Sequence, residues 1–184
     1  MTVWDTPLEG VKLVGLEYHR DDRGFFLEAF SAERFKAAGL VSEFVQDNHS
    51  FSSRGVVRGL HFQRGVGQTK LVRTIRGTTW NVVVDIRPGS KTLGQWWGLS
   101  MTEGGTVCLY VPPGFANSFC ALTDSDVMYK VSSGYAPELD GGIHYLDPDI
   151  GIPWPVSNPI VSKKDAGLGS FRAYLDGAGC FLGG

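Results

Sequence analysis

The sequence predicts an all-β fold, a sandwich or barrel of short strands, and three observations carry that prediction. Runs rich in Val, Ile, Thr, Phe and Tyr recur along the chain. Turn formers separate them, with 25 glycines and nine prolines in 184 residues. The spacing of the runs is short and fairly regular, the habit of sandwiches and barrels rather than of alternating βα units.

The expected strands, in order, are residues 11–17, 25–30, 56–63, 70–76, 78–86, 96–100, 106–111, 118–121 and 127–132. Turn signals stand between them: Arg76-Gly77, Arg87-Pro88-Gly89-Ser90, Glu103-Gly104-Gly105 and Pro112-Pro113-Gly114. One short helix is expected after Ser31, which can cap it. Glu33 lies in its first turn and Gly39 at its end. Beyond Tyr135 the chain turns rich in Gly, Pro and Asp, which predicts an irregular but ordered tail, since it also carries aromatic residues. With no repeat and no linker, residues 1–184 read as one domain. A chain of this length can bury roughly 70% of its unfolded surface.

Net charge is −2, so nothing points to nucleic acid or an anionic membrane as a partner. Cys108, Cys120 and Cys180 form neither a CxxC pair nor a zinc spacing, and read as free, buried thiols of a reducing compartment. Met1-Thr2-Val3-Trp4-Asp5 is unlike a secretory leader, and no run approaches a membrane span of ~20 apolar residues. A soluble, cytoplasmic protein is expected.

The most informative segment is Arg58-Gly59-Leu60-His61-Phe62-Gln63. It places an arginine and a histidine inside an otherwise apolar strand, where desolvating a titratable group is expensive without a partner. Ideal alternation puts Arg58 and His61 on opposite faces. Both reach one cavity only if Gly59 permits a bulge or twist, or if Arg58 sits at a barrel mouth. Taken alone, His61 reads as a buried histidine bonded to a carbonyl.

Further segments change that weighting: Asp21-Asp22-Arg23-Gly24-Phe25-Phe26-Leu27-Glu28, Val45-Gln46-Asp47-Asn48-His49-Ser50, Lys70-Leu71-Val72, Val84-Asp85-Ile86-Arg87, Pro113-Gly114-Phe115-Ala116, Tyr129-Lys130, Asp147-Pro148, Trp154-Pro155 and Ser162-Lys163-Lys164-Asp165. In order and spacing they resemble the dTDP-4-dehydrorhamnose 3,5-epimerase family, sugar-nucleotide epimerases with a cupin-type jelly-roll barrel. The resemblance runs over roughly residues 10–166.

Such an enzyme inverts carbons beside a ketone. It needs a base on one side of the sugar ring, an acid on the other and a positive group at the developing enolate oxygen. Histidine suits the base and tyrosine, protonated at neutral pH, the acid. The resemblance implies His61 as base, Tyr129 as acid, Lys70 at the enolate and Asp165 as the carboxylate orienting His61. It implies substrate contacts from Arg23, Glu28, Gln46, Asn48, Arg58 and Lys164. Two departures bear on the substrate. Asn117-Ser118 stands where the family usually has His-Gly, in a loop by this reading, and Asp140 replaces a glutamate.

A metal cupin would need His-x-His, a Glu and a later His. Here His61 is followed by Phe62 and Gln63, and Asn117 takes the later place, while His19, His49 and His144 are scattered. No metal and no cofactor are expected. The implied substrate is a dTDP-4-keto-6-deoxyhexose and the implied assembly a homodimer with an N-terminal strand crossing between subunits. Two other readings stay open: an epimerase acting at C3 or C5 alone, and a non-catalytic cupin that only binds a sugar nucleotide.

Overall fold

The structure, a computed structural model, describes residues 1–177. Cys180 lies outside them. Two antiparallel sheets pack face to face. The first holds β1 (Val3–Asp5), β2 (Lys12–Gly15), β10 (Val107–Val111), β7 (Lys70–Arg76), β12 (Ser125–Val131) and β5 (Gln46–Ser52), in that spatial order. The second holds β13 (Asp140–Gly142), β6 (Val57–Gln63), β11 (Phe115–Ala121), β8 (Thr78–Asp85) and β9 (Trp96–Thr102). A separate hairpin pairs β3 (Tyr18–Asp21) with β4 (Gly24–Leu27). This is the all-β architecture that the sequence predicts.

Three apolar layers hold it together. Between the sheets, Val72, Leu109, Val111 and Val127 of one meet Val83, Met101, Phe115 and Phe119 of the other. Period-two alternation sets this: Val127 and Val131 point inward while Met128 between them is exposed. Behind the first sheet, helix α1 (Ala32–Ala37) lays Phe35 over Val14, Leu71 and Cys108. Ser31 caps that helix through the Arg34 amide, and Gly39 ends it at φ +71°.

Behind the second sheet the tail supplies the cover. Ile143, Ile150, Ile152 and Phe171 pack on Leu60, Phe62, Val82 and Val84. Buried Asp147 pins this segment by accepting from the amides of Asp149, Ile150 and Phe171. The tail is therefore not simply irregular. It contains β13, helix α2 (Lys163–Ala166) and helix α3 (Phe171–Asp176).

Several boundaries differ from expectation for physical reasons. β5 is an edge strand of polar sequence, Gln-Asp-Asn-His-Ser, and its pairing with β12 overrides low strand propensity. The expected strand 25–30 stops at Leu27 and serves only as half of the exposed hairpin. The expected strand 118–121 begins earlier, at Phe115, so Asn117 sits in a strand and not in a loop.

Candidate active site

β6 supplies the first side chains. Its register with β11 pairs His61 with Asn117 but Arg58 with Phe119, so β6 carries one residue more than its partner between those pairs. The extra residue is accommodated at Gly59, which has φ +107° and lies so close to β11 that a Cβ would meet the Asn117 carbonyl oxygen at 2.7 Å. Ser118 Oγ donates to the Arg58 carbonyl at 2.6 Å across the same irregularity. The bulge resolves the conflict of alternation: Arg58 and His61 both face the space between the sheets, while Leu60 and Phe62 pack outward under the tail.

That space is a cavity of about 160 Å³ lined by Ser50, Arg58, His61, Lys70, Val72, Asn117, Phe119, Val127 and Tyr129. It adjoins an outer recess of about 380 Å³, where Gln46, Asn48, Gln63, Gln68, Tyr135, Asp140 and Lys164 join His61, Lys70 and Tyr129. One sheet thus contributes Arg58, His61 and Asn117, and the facing sheet Ser50, Lys70 and Tyr129.

His61 Nε2 lies 2.7 Å from Asp165 Oδ1. Asp165 arrives from 104 positions away because the tail runs beside the start of β6, with a parallel bridge from Ile160 to Val56. Ser162 then caps α2, accepting from the Asp165 amide at 3.0 Å. Asp165 is 3% exposed, and its second oxygen accepts from the Gly59 amide at 3.2 Å. Burial works to raise its pKa, but the bonds from His61 and Gly59 and the charge of Lys164 win, holding it below the ordinary carboxylate range. A carboxylate can only accept, so Nε2 of neutral His61 carries the proton and Nδ1 keeps a lone pair for a base's work.

Lys70 begins β7 and reaches the cavity, where its ammonium donates to Asn117 Oδ1 at 2.7 Å. Burial lowers its pKa to about 8, opposed by the charge of Asp140. Tyr129, opposite Val72 in β7 and Asn48 in β5, has its pKa raised by burial, with the Arg58 charge opposing. Its hydroxyl therefore stays protonated at neutral pH, able to donate a proton from the sheet facing His61.

The remaining predicted residues divide. Arg58 is fixed by bonds to Ser52 Oγ and the Phe51 carbonyl, each 2.9 Å. Gln46 donates to Asn48 Oδ1 at 2.8 Å. Lys164 forms an ion pair with Asp140 at the recess, which raises the lysine's pKa. Arg23 and Glu28 are elsewhere: Arg23 binds Asp21 at the tip of the hairpin, 90% exposed, and Glu28 faces Arg34 at 3.3 Å. Within one chain neither reaches the cavity. Sequence reasoning missed Ser50, Gln63, Gln68 and Tyr135 among the polar lining residues. It also missed the Lys70–Asn117 bond, which only the facing of the two sheets could reveal.

The other three histidines lie elsewhere: His19 stacks beside Phe26 on the hairpin with ring centroids 6.3 Å apart, His49 pairs with Asp126 at 2.9 Å, and His144 accepts from the Leu146 amide at 3.2 Å. Among the described residues no three His, Cys, Asp or Glu side chains cluster as metal ligands do. Among the described residues no helix is long and apolar enough to cross a membrane.

A family profile described as dTDP-4-dehydrorhamnose 3,5-epimerase matches residues 5–173. A protein of that name from Methanothermobacter thermautotrophicus is 46% identical over 164 residues, which is 87% of this chain and 89% of that one. A dTDP-4-dehydrorhamnose 3-epimerase from Streptomyces niveus is 40% identical over 161 residues, 86% of this chain and 78% of that one. The crystal structure of a dTDP-6-deoxy-D-glucose-3,5-epimerase from Legionella pneumophila, in complex with dTDP-4-keto-L-rhamnose, superposes with a TM-score of 0.89 at 39% identity, covering 93% of each chain. With its sandwich superposing on that crystal structure and this profile matching residues 5–173, the chain belongs to the dTDP-4-dehydrorhamnose 3,5-epimerase family.

Proposed function

We propose that this protein inverts C3 and C5 of a dTDP-4-keto-6-deoxyhexose. The observation that carries the reading is the meeting of four groups: His61, backed by Asp165, faces Lys70 and Tyr129 across one cavity between the sheets. His61 Nδ1 removes the proton beside the ketone, and the electron pair moves to the 4-oxygen as an enolate. The Lys70 ammonium stabilises that oxygen. The Tyr129 hydroxyl returns a proton to the opposite face, and the tyrosinate and imidazolium then exchange one proton to reset the site. Asp165 holds the imidazole in the useful tautomer. These steps move protons alone and call for no cofactor.

Arg58, Gln46, Asn48 and Lys164 bind the nucleotide, and Asp140 sets the position of Lys164. A guanidinium fork suits a diphosphate, and the carboxamides suit a pyrimidine edge. Arg23 and Glu28 join only if a second copy brings its hairpin to the recess, so the reading includes a homodimer. The 55% and 69% exposure of Phe25 and Phe26 on that hairpin supports such a contact. Two buried free thiols, Cys108 and Cys120, suit a reducing cytoplasm.

Turnover in D2O followed by NMR tests the reading. Deuterium should enter at both C3 and C5, and His61→Ala should abolish it. Exchange at a single carbon would make the protein a single-site epimerase, as the Streptomyces niveus relative is named. Binding of dTDP with no exchange would leave only a binding role. Equal incorporation in wild type and variant would remove His61 from the base position.

A further inference from the structure

Asn117 lines the cavity together with His61, Lys70 and Tyr129. It pairs in register with His61 across β6 and β11, and its carboxamide oxygen accepts from the Lys70 ammonium at 2.7 Å. β11 is the middle strand of its sheet, bonded to β8 on its other side with Asn117 opposite Val83. The backbone beneath the carboxamide is therefore fixed. Ser118, next along, ties β11 to the β6 bulge through the Arg58 carbonyl. Lys70 enters from the far sheet on a long, rotatable stem and, among the described residues, has no charged partner within salt-bridge reach. Asp140, whose charge acts on it, is engaged with Lys164.

We propose that Asn117 is a positioning residue for the reaction: it holds the Lys70 ammonium at the place where the 4-oxygen develops charge, and as a neutral acceptor it keeps that ammonium charged without neutralising it. A carboxylate there would form an ion pair and draw the cation away from the enolate. An imidazole at the same position would add a second titrating group beside His61. The carboxamide does neither. Its oxygen accepts one of the three ammonium protons, leaving two for the substrate. Among the described residues that line the cavity and recess, the other charged and titratable groups are Arg58 and His61 on β6, Tyr129 on β12, Asp140 on β13, Lys164 on α2 and Tyr135 at the recess. None of them is bonded to the Lys70 ammonium. This proposal rests on the epimerase reading for its catalytic half, and its electrostatic half stands apart from it.

Two variants and two readouts test it. In Asn117→Leu the ammonium loses its acceptor. kcat should fall about tenfold or more with KM little changed, since substrate binding is left to other residues. In Asn117→Asp the new charge should raise the Lys70 pKa, read by NMR of the labelled lysine, by about one pH unit or more. The basic limb of the pH–kcat profile should move with it. Asn117→Gln, which keeps the acceptor on a longer stem, should recover part of the activity lost in the leucine variant. A change in KM alone would make Asn117 a substrate contact and overturn the proposal. So would an unmoved Lys70 titration in Asn117→Asp. Absence of exchange in the wild type would sink the epimerase reading while leaving the lysine titration to decide the electrostatic claim on its own.

Discussion

Replacing Lys70 by Met should make the protein more stable and inactive, and the stability gain should depend on pH in a particular way. Lys70 titrates near 8 in the fold against an ordinary value of 10.5. At about 1.4 kcal/mol for each pH unit, that difference places a ceiling of about 3 kcal/mol on the cost of holding the ammonium in the cavity. The cavity opens to the recess, so solvent screening brings the expected figure down to about 1–2 kcal/mol. Met matches the stem in length and removes the charge, leaving Asn117 to water. The sign follows from proton counting. Between about pH 8 and 10.5 the unfolded chain holds the Lys70 proton and the folded chain has released it, so wild-type stability rises with pH through that window. The variant has no such group. Urea unfolding of both proteins at pH 7, 8, 9 and 10 gives the difference, in which all other titrations cancel. The variant should lead by about 1–2 kcal/mol at pH 7, and the lead should shrink toward pH 10. A difference that stays constant with pH, or a variant less stable at pH 7, would refute the account of a destabilised ammonium retained for chemistry.

Asp165→Asn should lower kcat by about two to four orders of magnitude with a far smaller change in KM, because the amide no longer enforces the Nε2–H tautomer of His61. Wild-type activity should decline as pH rises through about 8, where the Lys70 ammonium is lost, and Lys70→Arg should carry that limb upward if it retains turnover. Buried Asp85 titrates near 2, since the bonds from Arg87, Ser90 and Thr92 outweigh the desolvation that would raise it. Asp85→Asn should lose about 2 kcal/mol at pH 7, and the loss should fade between about pH 4 and 2, where the wild-type carboxylate takes up its proton, as read by denaturant unfolding. Gly59→Ala should destabilise the fold by about 1–3 kcal/mol and abolish activity, because a methyl cannot enter the 2.7 Å gap to Asn117 at φ +107°. A fully active, equally stable alanine variant would show that the bulge does not set the site.

The inner face of the fold was legible because burial writes itself as alternation. Val127, Tyr129 and Val131 share a face in the sequence and in the sandwich, and Ser31 and Gly39 bound the one long-range helix cover of the first sheet as their chemistry predicts. What alternation could not reveal is where it breaks. Arg58 and His61 look incompatible until the register with β11 shows one extra residue at Gly59. β5 was unreadable because its pairing with β12 overrides its polar sequence, and the tail helices, though capped by Ser162 and Ser170, are too short for a periodic pattern to show. The His61–Asp165 pairing was reachable only through family resemblance, since 104 positions separate the two. The Lys70–Asn117 bond was beyond sequence reasoning altogether, because it spans two sheets whose facing positions no local pattern encodes.

The route by which Asp165 reaches His61 has a consequence for control. Between Ile160 and Phe171 the strap is tied to the barrel by a parallel bridge at Val56, by the bonds of Asp165 to His61 and Gly59, by the Lys164–Asp140 ion pair and by the Gly169 carbonyl, which accepts from the His144 amide. The ties nearest the site run through the one short helix α2, and a short segment opens locally at lower free energy than a sheet core. Lifting this strap would strip the imidazole of its carboxylate while every barrel strand stayed paired. Hydrogen exchange at the Asp165 and Ala166 amides, set against that at the amides of β6, would measure how readily this segment opens.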